Sequence, residues 1–344
     1  MLLRDAVRLW DPEPGWLNTA SYGLPPRPAV DAMHTALDEW RRGSVPWETW
    51  DLSTGRARAA FALLVGADPA DVAVGASASG VLSVVAAALP AGARVIVPDI
   101  EFASNLFPWL VHTDRGVRVD TVPPDKLADG IGADTDVVAF SVVQSATGEV
   151  APVDDIVAAA RAHDALVVGD ASQAAGWLPL DASRFDVLVC AAYKWLMAPR
   201  GTAFGYFSPV VRDRFRPLQA NWYAGGDPHD SYYGPPLRLA STARRFDLSP
   251  GWFAYVGAAP ALELLADIGV AAVHAHDVGL ANRFRAGLGL PPGDSAIVST
   301  DIPDAEARLA AAGVRAAVRD GRLRASFHLY TVEADVDRAV EALS

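Results

Sequence analysis

The chain has very little cysteine: among its 344 residues, Cys190 is the only one. A single thiol excludes a disulfide within the chain, and it leaves no CxxC or Cys/His pattern that could bind a metal. We therefore expect a reducing, cytoplasmic setting and no metal site.

Long, uninterrupted hydrophobic runs are also missing. The first residues, MLLRDAVRLWDPEPGW, contain an early aspartate and two prolines, unlike a secretory signal peptide. The longest apolar stretch, VLSVVAAALPAGARVIVP, is broken by proline, glycine and arginine, which argues against a membrane-spanning helix. We expect a protein that does not enter a membrane.

Positive charge is scarce as well. There are 29 basic and 41 acidic residues, and the net charge is −12. This balance argues against nucleic acid or an anionic membrane as a partner, so an anionic ligand would have to be held locally. The loops GxGxxG and GxxxxGK[ST] are absent too, which removes the usual signature of a nucleotide-binding fold.

Short valine-rich runs are present, and they alternate with alanine-rich helical stretches from about residue 56 to 207. This alternation predicts an α/β domain with a mostly parallel sheet. The runs are ARVIVP, VRVDTV, DVVAFSVV, ALVVGD and DVLVCAA. Because the chain is longer than one core usually needs, we expect a large domain over 26–250 and a small α+β domain over 251–344, after an N-terminal segment over 1–25.

Three further segments carry a structural expectation. Residues 208–250 lack periodicity and are rich in Trp, Tyr, Gly, Pro and Arg, which predicts an ordered connection over a site or an interface. Residues 251–266 are helical in pattern, with Pro260 expected to kink or interrupt the helix. The alanine-rich stretch 305–319 is expected to be an amphipathic helix.

Asp170 and Lys194 are the most informative residues, because each follows an apolar run at the predicted carboxyl end of a strand. Parallel sheets bind their ligands at that edge. A lysine in apolar surroundings loses its proton easily and can form a Schiff base, and a carboxylate can keep a pyridine nitrogen protonated. The pair predicts pyridoxal 5′-phosphate (PLP), although either residue alone is more often structural than catalytic.

Other candidates are weaker one by one. Ser77 and Ser79 begin a helical pattern, where free N–H groups can hold a phosphate, although N-capping explains Ser77 equally well. Phe102 could stack on a pyridine ring or pack in the core. Gln173 could reach the phenolic oxygen of the ring, and Arg324 is either a surface residue or a clamp for a substrate carboxylate.

Together these segments resemble the class V aminotransferase family of fold-type I PLP enzymes, which includes cysteine desulfurases, kynureninases, isopenicillin N epimerase-like proteins and some C–S lyases. The resemblance implies a large, mostly parallel sheet domain, a small α+β C-terminal domain and an N-terminal segment, 1–25, that packs near the active site. The blocks that carry it are LNTASYGLPPRPAVDAM, SASGVLSVV, EFASNLFPW, VVQSATGEVAPVDDI, VVGDASQAAGWLPLD, AAYKWLMAPRG, RRFDLSPGWFAYVG and LRASFHLYTVEADVDRAVEAL.

The resemblance also implies roles. Lys194 would be the Schiff-base lysine, Asp170 the partner of the pyridine nitrogen, and Arg324 the ligand of the substrate carboxylate. The remaining positions that it assigns to cofactor and substrate are Gln173, Phe102, Ser77, Ala78, Ser79, Tyr193, Ser145, Thr147, Trp222 and Asn18. Trp222 and Tyr223 are expected to reach the site of a neighbouring subunit in a homodimer with shared active sites.

Two departures from the family pattern bear on the reaction. Cysteine desulfuration is disfavoured, because Cys190 lies four residues before Lys194 and not shortly before Arg324. Ala191 stands where many members have a phosphate-binding serine, and SPG at 249–251 replaces a Gly-Thr pair. Phosphate contacts are therefore expected from Tyr193, Ser249 and the helix N-terminus.

The expected activity is that of a PLP enzyme on a small α-amino acid. The amino acid would replace Lys194 on the cofactor in an external aldimine, and Lys194 would then move the α-proton to give a quinonoid. Aminotransfer is the leading expectation. The alternatives are a β-eliminating lyase of the C–S lyase type or an epimerase, and a non-catalytic PLP-binding module is a less favoured one.

Overall fold

The computed structural model describes residues 3–344, and its largest feature is a seven-stranded sheet in the order β1-β7-β6-β5-β4-β2-β3. Every neighbouring pair is parallel except those made by β7, which runs against both β1 and β6. The strands are β1 Val72–Gly75, β2 Arg94–Pro98, β3 Arg118–Val122, β4 Val137–Ser141, β5 Leu166–Asp170, β6 Val187–Ala191 and β7 Ala203–Phe207. The five valine-rich runs are therefore strands, as predicted, and β1 and β7 complete the sheet.

Helices cover both faces of this sheet, which is why its central strands are apolar on both sides. One core lies between the sheet and the pair α3 and α8, and a second lies on the side of α4 and α5. The helices of this part are α1 Leu3–Ala6, α2 Arg27–Arg42, α3 Glu48–Val65, α4 Ala78–Ala88, α5 Ala103–Leu110, α6 Leu127–Gly130, α7 Val153–Ala162 and α8 Trp252–Ile268.

The helix α8 continues through Pro260, so the expected interruption does not occur. Its neighbours Ala258, Ala259, Ala261 and Leu262 are all fully buried. Burial of this apolar surface offsets the backbone hydrogen bond that proline cannot make.

The small α+β domain contains a three-stranded antiparallel sheet in the order β8-β10-β9. Its elements are α9 Val270–Gly287, β8 Ile297–Thr300, α10 Ala305–Ala311, β9 Ala317–Arg319, β10 Arg322–Ser326 and α11 Glu333–Leu343. The prediction of one helix over 305–319 was wrong. Gly313, with a φ of 73°, follows α10 in the left-handed conformation that ends helices, and the chain then enters β9.

The N-terminal segment lies along the small domain and leads to the large sheet. Leu17 donates its N–H to the Arg315 carbonyl and accepts one from Ser326, at 2.9 Å each. Gly23 then donates to the Tyr193 carbonyl. The segment thus contacts both parts, while the domain boundaries themselves stay predictions.

Among residues 3–344 no single helix is long and apolar enough to cross a membrane; the pair α8 and α9 meets those criteria only jointly, with a bend of 87°.

Residues 208–250 are irregular, as predicted, and a buried ion pair holds their end. Asp247 is fully buried and accepts two hydrogen bonds from Arg58 of α3, at 3.0 and 2.6 Å. The same carboxylate accepts the N–H of Val74, and Arg58 also donates to the Val72 carbonyl. The pair therefore joins α3, β1 and the connection.

Replacing Asp247 with asparagine tests this joint. Because Arg58 would stay buried without a countercharge, we expect Asp247→Asn to lower the free energy of unfolding by about 3 to 5 kcal/mol in urea titrations. Asp11→Asn removes the exposed partner of Arg27 and should cost less than about 1 kcal/mol. Equal losses in the two variants would contradict a structural role for the buried pair.

Candidate active site

Asp170 and Lys194 meet at the carboxyl edge of the large sheet. Asp170 ends β5, and Lys194 follows the neighbouring parallel strand β6, whose Val189 pairs with Asp170. Both side chains are buried, at 5% and 6% exposure. The topology thus brings together the two residues that the sequence singled out.

Burial shifts the pKa values of both groups. It lowers the pKa of Lys194 to about 8, against the opposing charge of Asp170, and the positive charges of Arg324 and Arg319 lower it further. Burial also raises the pKa of Asp170, whose Oδ1 accepts the N–H of Ser172 at 2.8 Å. A large share of the Lys194 amine is therefore neutral at mildly alkaline pH, and Asp170 has an environment suited to a cationic partner.

The backbone around Lys194 is held from several sides. Gly23 donates to the Tyr193 carbonyl at 2.9 Å, and a Cβ atom at Gly23 would overlap the Lys194 carbonyl oxygen. The Trp195 indole donates to Oε1 of Gln173 at 2.8 Å. These contacts fix the path of the chain on both sides of the amine.

His328 contributes a further contact that the sequence did not reveal. Its Nε2 lies 3.0 Å from the Trp195 carbonyl oxygen, so Nε2 is the donor, and its Nδ1 lies 2.7 Å from the Asp277 carboxylate. Both side chains are fully buried. The imidazole thereby links α9 of the small domain to the lysine segment.

Gln173 uses its whole amide within the protein. While Oε1 accepts from Trp195, Nε2 donates to the Ala20 carbonyl and to Ser145 Oγ, both at 3.0 Å. Ser145 Oγ also lies within 3.3 Å of Nη1 of Arg324. Because Ser145 accepts these donors, its own hydroxyl hydrogen is the one left to donate to a ligand, whereas the role expected of Gln173 stays a prediction.

Arg324 lies on β10 and is almost completely buried, at 1% exposure. It donates to the Ser145 carbonyl at 2.7 Å and to Ser21 Oγ at 2.9 Å. Its Nε has no hydrogen-bond partner, and no carboxylate of the described chain forms an ion pair with it. A buried guanidinium with a free N–H suits a substrate carboxylate.

The expected phosphate position lies at the N-terminus of α4. Ser77 is the N-cap, since its Oγ accepts the Gly80 N–H at 3.1 Å, and it lies 3.3 Å from Ser79 Oγ. The first N–H groups of the helix, at Ala78 and Ser79, have no intrahelical acceptor. Leu248 donates to the Val74 carbonyl, which places the neighbouring residue Ser249 near this end of β1.

Aromatic rings flank the amine. Lys194 Nζ lies 5.4 Å from the centre of the Phe102 ring and 6.0 Å from that of Tyr193. The Phe102 side chain is 47% exposed, so it has a face available for stacking. Asn105, on the same turn of chain, is fully buried, and neither of its amide atoms has a hydrogen-bond partner in the described structure.

Three of the predicted residues have other contacts within this chain. Thr147 is exposed and accepts the N–H of Glu149, as a turn residue does. Trp222 packs edge-on against Trp47 at 5.4 Å, and Tyr223 donates its hydroxyl to Asp51. The predicted contacts of Thr147 and Trp222 with cofactor, and of Trp222 and Tyr223 with the site of a neighbouring subunit, stay predictions.

Asn18 lies beside Arg324, joined to it through Ser21. Asn18 Oδ1 accepts the hydroxyl hydrogen of Ser21 at 2.7 Å, and Ser21 accepts from Arg324 and from Arg319. Neither Ser21 nor Arg319 was among the residues that the sequence singled out.

These residues fit PLP. A buried amine whose pKa is lowered to about 8, a buried carboxylate, an open helix N-terminus and a flat, exposed aromatic ring are the groups that an aldehyde, a pyridine nitrogen, a phosphate and a ring face require. Lys194, Asp170, Ser77, Ser79 and Phe102 would supply them.

Comparisons with known proteins agree with this fit. Residues 52–300 match the family described as aminotransferase class-V. An uncharacterized aminotransferase of Bacillus subtilis, YcbU, is 26% identical over 340 residues, covering 92% of this chain and 90% of its own. Isopenicillin N epimerase of Streptomyces clavuligerus is 28% identical over 392 residues, covering 97% and 95%.

The fold is shared with a solved cystine C–S lyase, C-DES, with a TM-score of 0.85, 21% identity and coverage of 96% of this chain and 97% of that one. A variant of C-DES was solved with glycine covalently linked to its PLP cofactor. The chain therefore belongs to the aminotransferase class-V family, and it is a PLP-dependent enzyme of fold type I.

Proposed function

We propose that the protein is a PLP-dependent aminotransferase that acts on an α-amino acid. The observation that carries the proposal is the buried amine of Lys194, with a pKa of about 8, beside the buried carboxylate of Asp170. The full-length similarity to a bacterial aminotransferase supports it.

The residues of the chain would divide the work as follows. PLP, when bound, supplies an aldehyde that takes up the amino group and a ring that accepts electrons. Arg324 orients the substrate by its α-carboxylate, and Phe102 keeps water from one side of the site. Lys194 Nζ would take the proton from the α-carbon and pass it to the former aldehyde carbon on the same face, while the Asp170 carboxylate would keep a proton on the ring nitrogen.

Transfer and epimerisation differ in the number of groups that must move the proton. Transfer needs one base that moves the proton along one face of the cofactor, which Lys194 can do alone. Epimerisation needs a second group that delivers a proton to the opposite face. The proposal of transfer therefore rests on Lys194 as the single base.

Cysteine desulfuration is not supported. The Cys190 thiol is buried in β6, near the Ala171 carbonyl. Burial and the charge of Asp170 raise the pKa of this thiol well above its usual range, so it is a poor nucleophile.

We also propose a homodimer in the cytoplasm. Tyr233 and Leu237, on the connection 208–250, are 88% and 76% exposed, and Tyr232 beside Trp222 is half exposed. A second copy of the chain would remove this apolar surface from water. Trp222 would then lie near the partner's site.

The role of Lys194 can be tested sharply, because the chain has only one other lysine, Lys126. Protein mixed with PLP should show a visible absorbance band, and reduction with borohydride should attach the cofactor to Lys194 in peptide mass spectrometry. Lys194→Ala should lose both signals, since the other lysine, Lys126, is exposed on the surface. Lys126→Ala should keep both, and loss of the band in that variant alone would contradict the assignment.

The pH dependence of cofactor attachment follows from the pKa of Lys194. Only the neutral amine reacts, so the rate should rise as the pH passes through about 8 and then level off. Arg324→Gln removes a positive charge that lowers this pKa, so its profile should move to higher pH. A stopped-flow profile that moved to lower pH would contradict the electrostatic account.

The reaction itself is tested with a panel of amino acids, with and without a keto acid, analysed by mass spectrometry. A transferase should consume the amino acid only when the keto acid is present, because the amino group needs an acceptor. Pyruvate and ammonia formed without the keto acid would indicate β-elimination. Loss of optical rotation alone would indicate epimerisation.

A further inference from the structure

A hairpin of the small domain presents a second arginine beside Arg324. Strands β9 and β10 are joined by Asp320 and Gly321, whose φ angles of 49° and 72° are both positive, as a two-residue type I′ turn requires. The register pairs Arg319 with Arg322. Since residues two apart on a strand share a face, Arg319, Arg322 and Arg324 all lie on one side of the small sheet.

Arg319 and Arg324 converge on one hydroxyl group. Nη2 of Arg324 donates to Ser21 Oγ at 2.9 Å, and Nη2 of Arg319 donates to the same oxygen at 3.3 Å. Ser21 in turn donates its hydrogen to Asn18 Oδ1 at 2.7 Å. The Ser21 hydroxyl therefore has all its hydrogen bonds formed. It lies between the two guanidinium groups, which occupy neighbouring positions on either side of it.

No described carboxylate neutralises this pair of charges. Apart from their shared contact with Ser21, Arg319 donates to the backbone carbonyl of Val318, and Arg324 donates to the backbone carbonyl of Ser145. Burial, and after it the charge of Arg319, lowers the pKa of Arg324 to about 10. In a chain of net charge −12, two adjacent arginines without an acidic partner suit an anionic ligand.

We infer that Arg319 binds a second anionic group of the substrate, so that the enzyme acts on α-amino acids with a negatively charged side chain, such as a side-chain carboxylate. The inference rests on the proposed function, in which the buried Arg324 takes the α-carboxylate. Arg319 is exposed and lies at the mouth of the site, so the second anionic group lies towards solvent.

The test is a titration of the PLP-loaded protein with two matched pairs, aspartate against asparagine and glutamate against glutamine, followed by the visible spectrum. In each pair only the charge differs. We expect at least one acid to bind about fivefold more tightly than its amide at low salt. Because Arg319 is exposed, this preference should fall as ionic strength rises.

Variants distinguish a specific role of Arg319 from a general effect of the positive charge on the hairpin. Arg319→Gln should bring the acid-to-amide ratio close to one, with a larger loss of binding for the acids than for the amides, and Arg319→Lys should keep part of the preference. Arg322→Gln removes the same charge from the same face, and it should keep the preference because no contact joins Arg322 to Ser21 in the described structure.

Three results would overturn the inference. The unaltered protein could bind acids and amides equally tightly, or Arg319→Gln could weaken the binding of acids and amides by the same factor. The third result is that Arg322→Gln reduces the acid-to-amide ratio as much as Arg319→Gln does. In each of these cases amino acids still change the spectrum, so the proposed function stands. If no amino acid changes the spectrum, both proposals fall.

Discussion

The buried pair of Asp170 and Lys194 is the constraint on which the site depends. Two groups of opposite charge are removed from water at the ends of neighbouring strands, and such burial is costly unless each charge has a partner. Burial lowers the pKa of the Lys194 amine to about 8, so the amine loses its proton, and with it the buried charge, more easily than an exposed lysine does. A neutral Lys194 then leaves Asp170 without a cationic partner, and a protonated pyridine nitrogen would fill that position.

The lysine segment has to be rigid for this arrangement to work, and distant parts of the chain provide that rigidity. The N-terminal segment contacts it through Gly23, the loop after β5 through Gln173, and the small domain through His328. The active site is therefore a junction of three parts of the fold. A change in any of them would alter the position of the amine without touching a ligand.

The sequence predicted those features that follow from local pattern. Valine-rich runs gave the central strands, and a parallel sheet necessarily places Asp170 and Lys194 at the same edge. The short strand β1, four residues long, is too brief to show a period, and Gly313 ends a helix that composition alone would continue. The Asp-Gly turn at 320–321 was a visible signal for a hairpin, and it would have placed Arg319 on the face of Arg324. Contacts such as His328 with Asp277, 51 residues apart, depend on tertiary packing and leave no local pattern.

The protonation state of the cofactor ring tests the account most directly. Protein loaded with PLP labelled with ¹⁵N at the pyridine nitrogen should show the chemical shift of a protonated nitrogen, and Asp170→Asn should show that of an unprotonated one, because the amide carries no charge to hold the proton. An unprotonated nitrogen in the unaltered protein, or the same protonated signal in both proteins, would contradict the central role of the buried carboxylate.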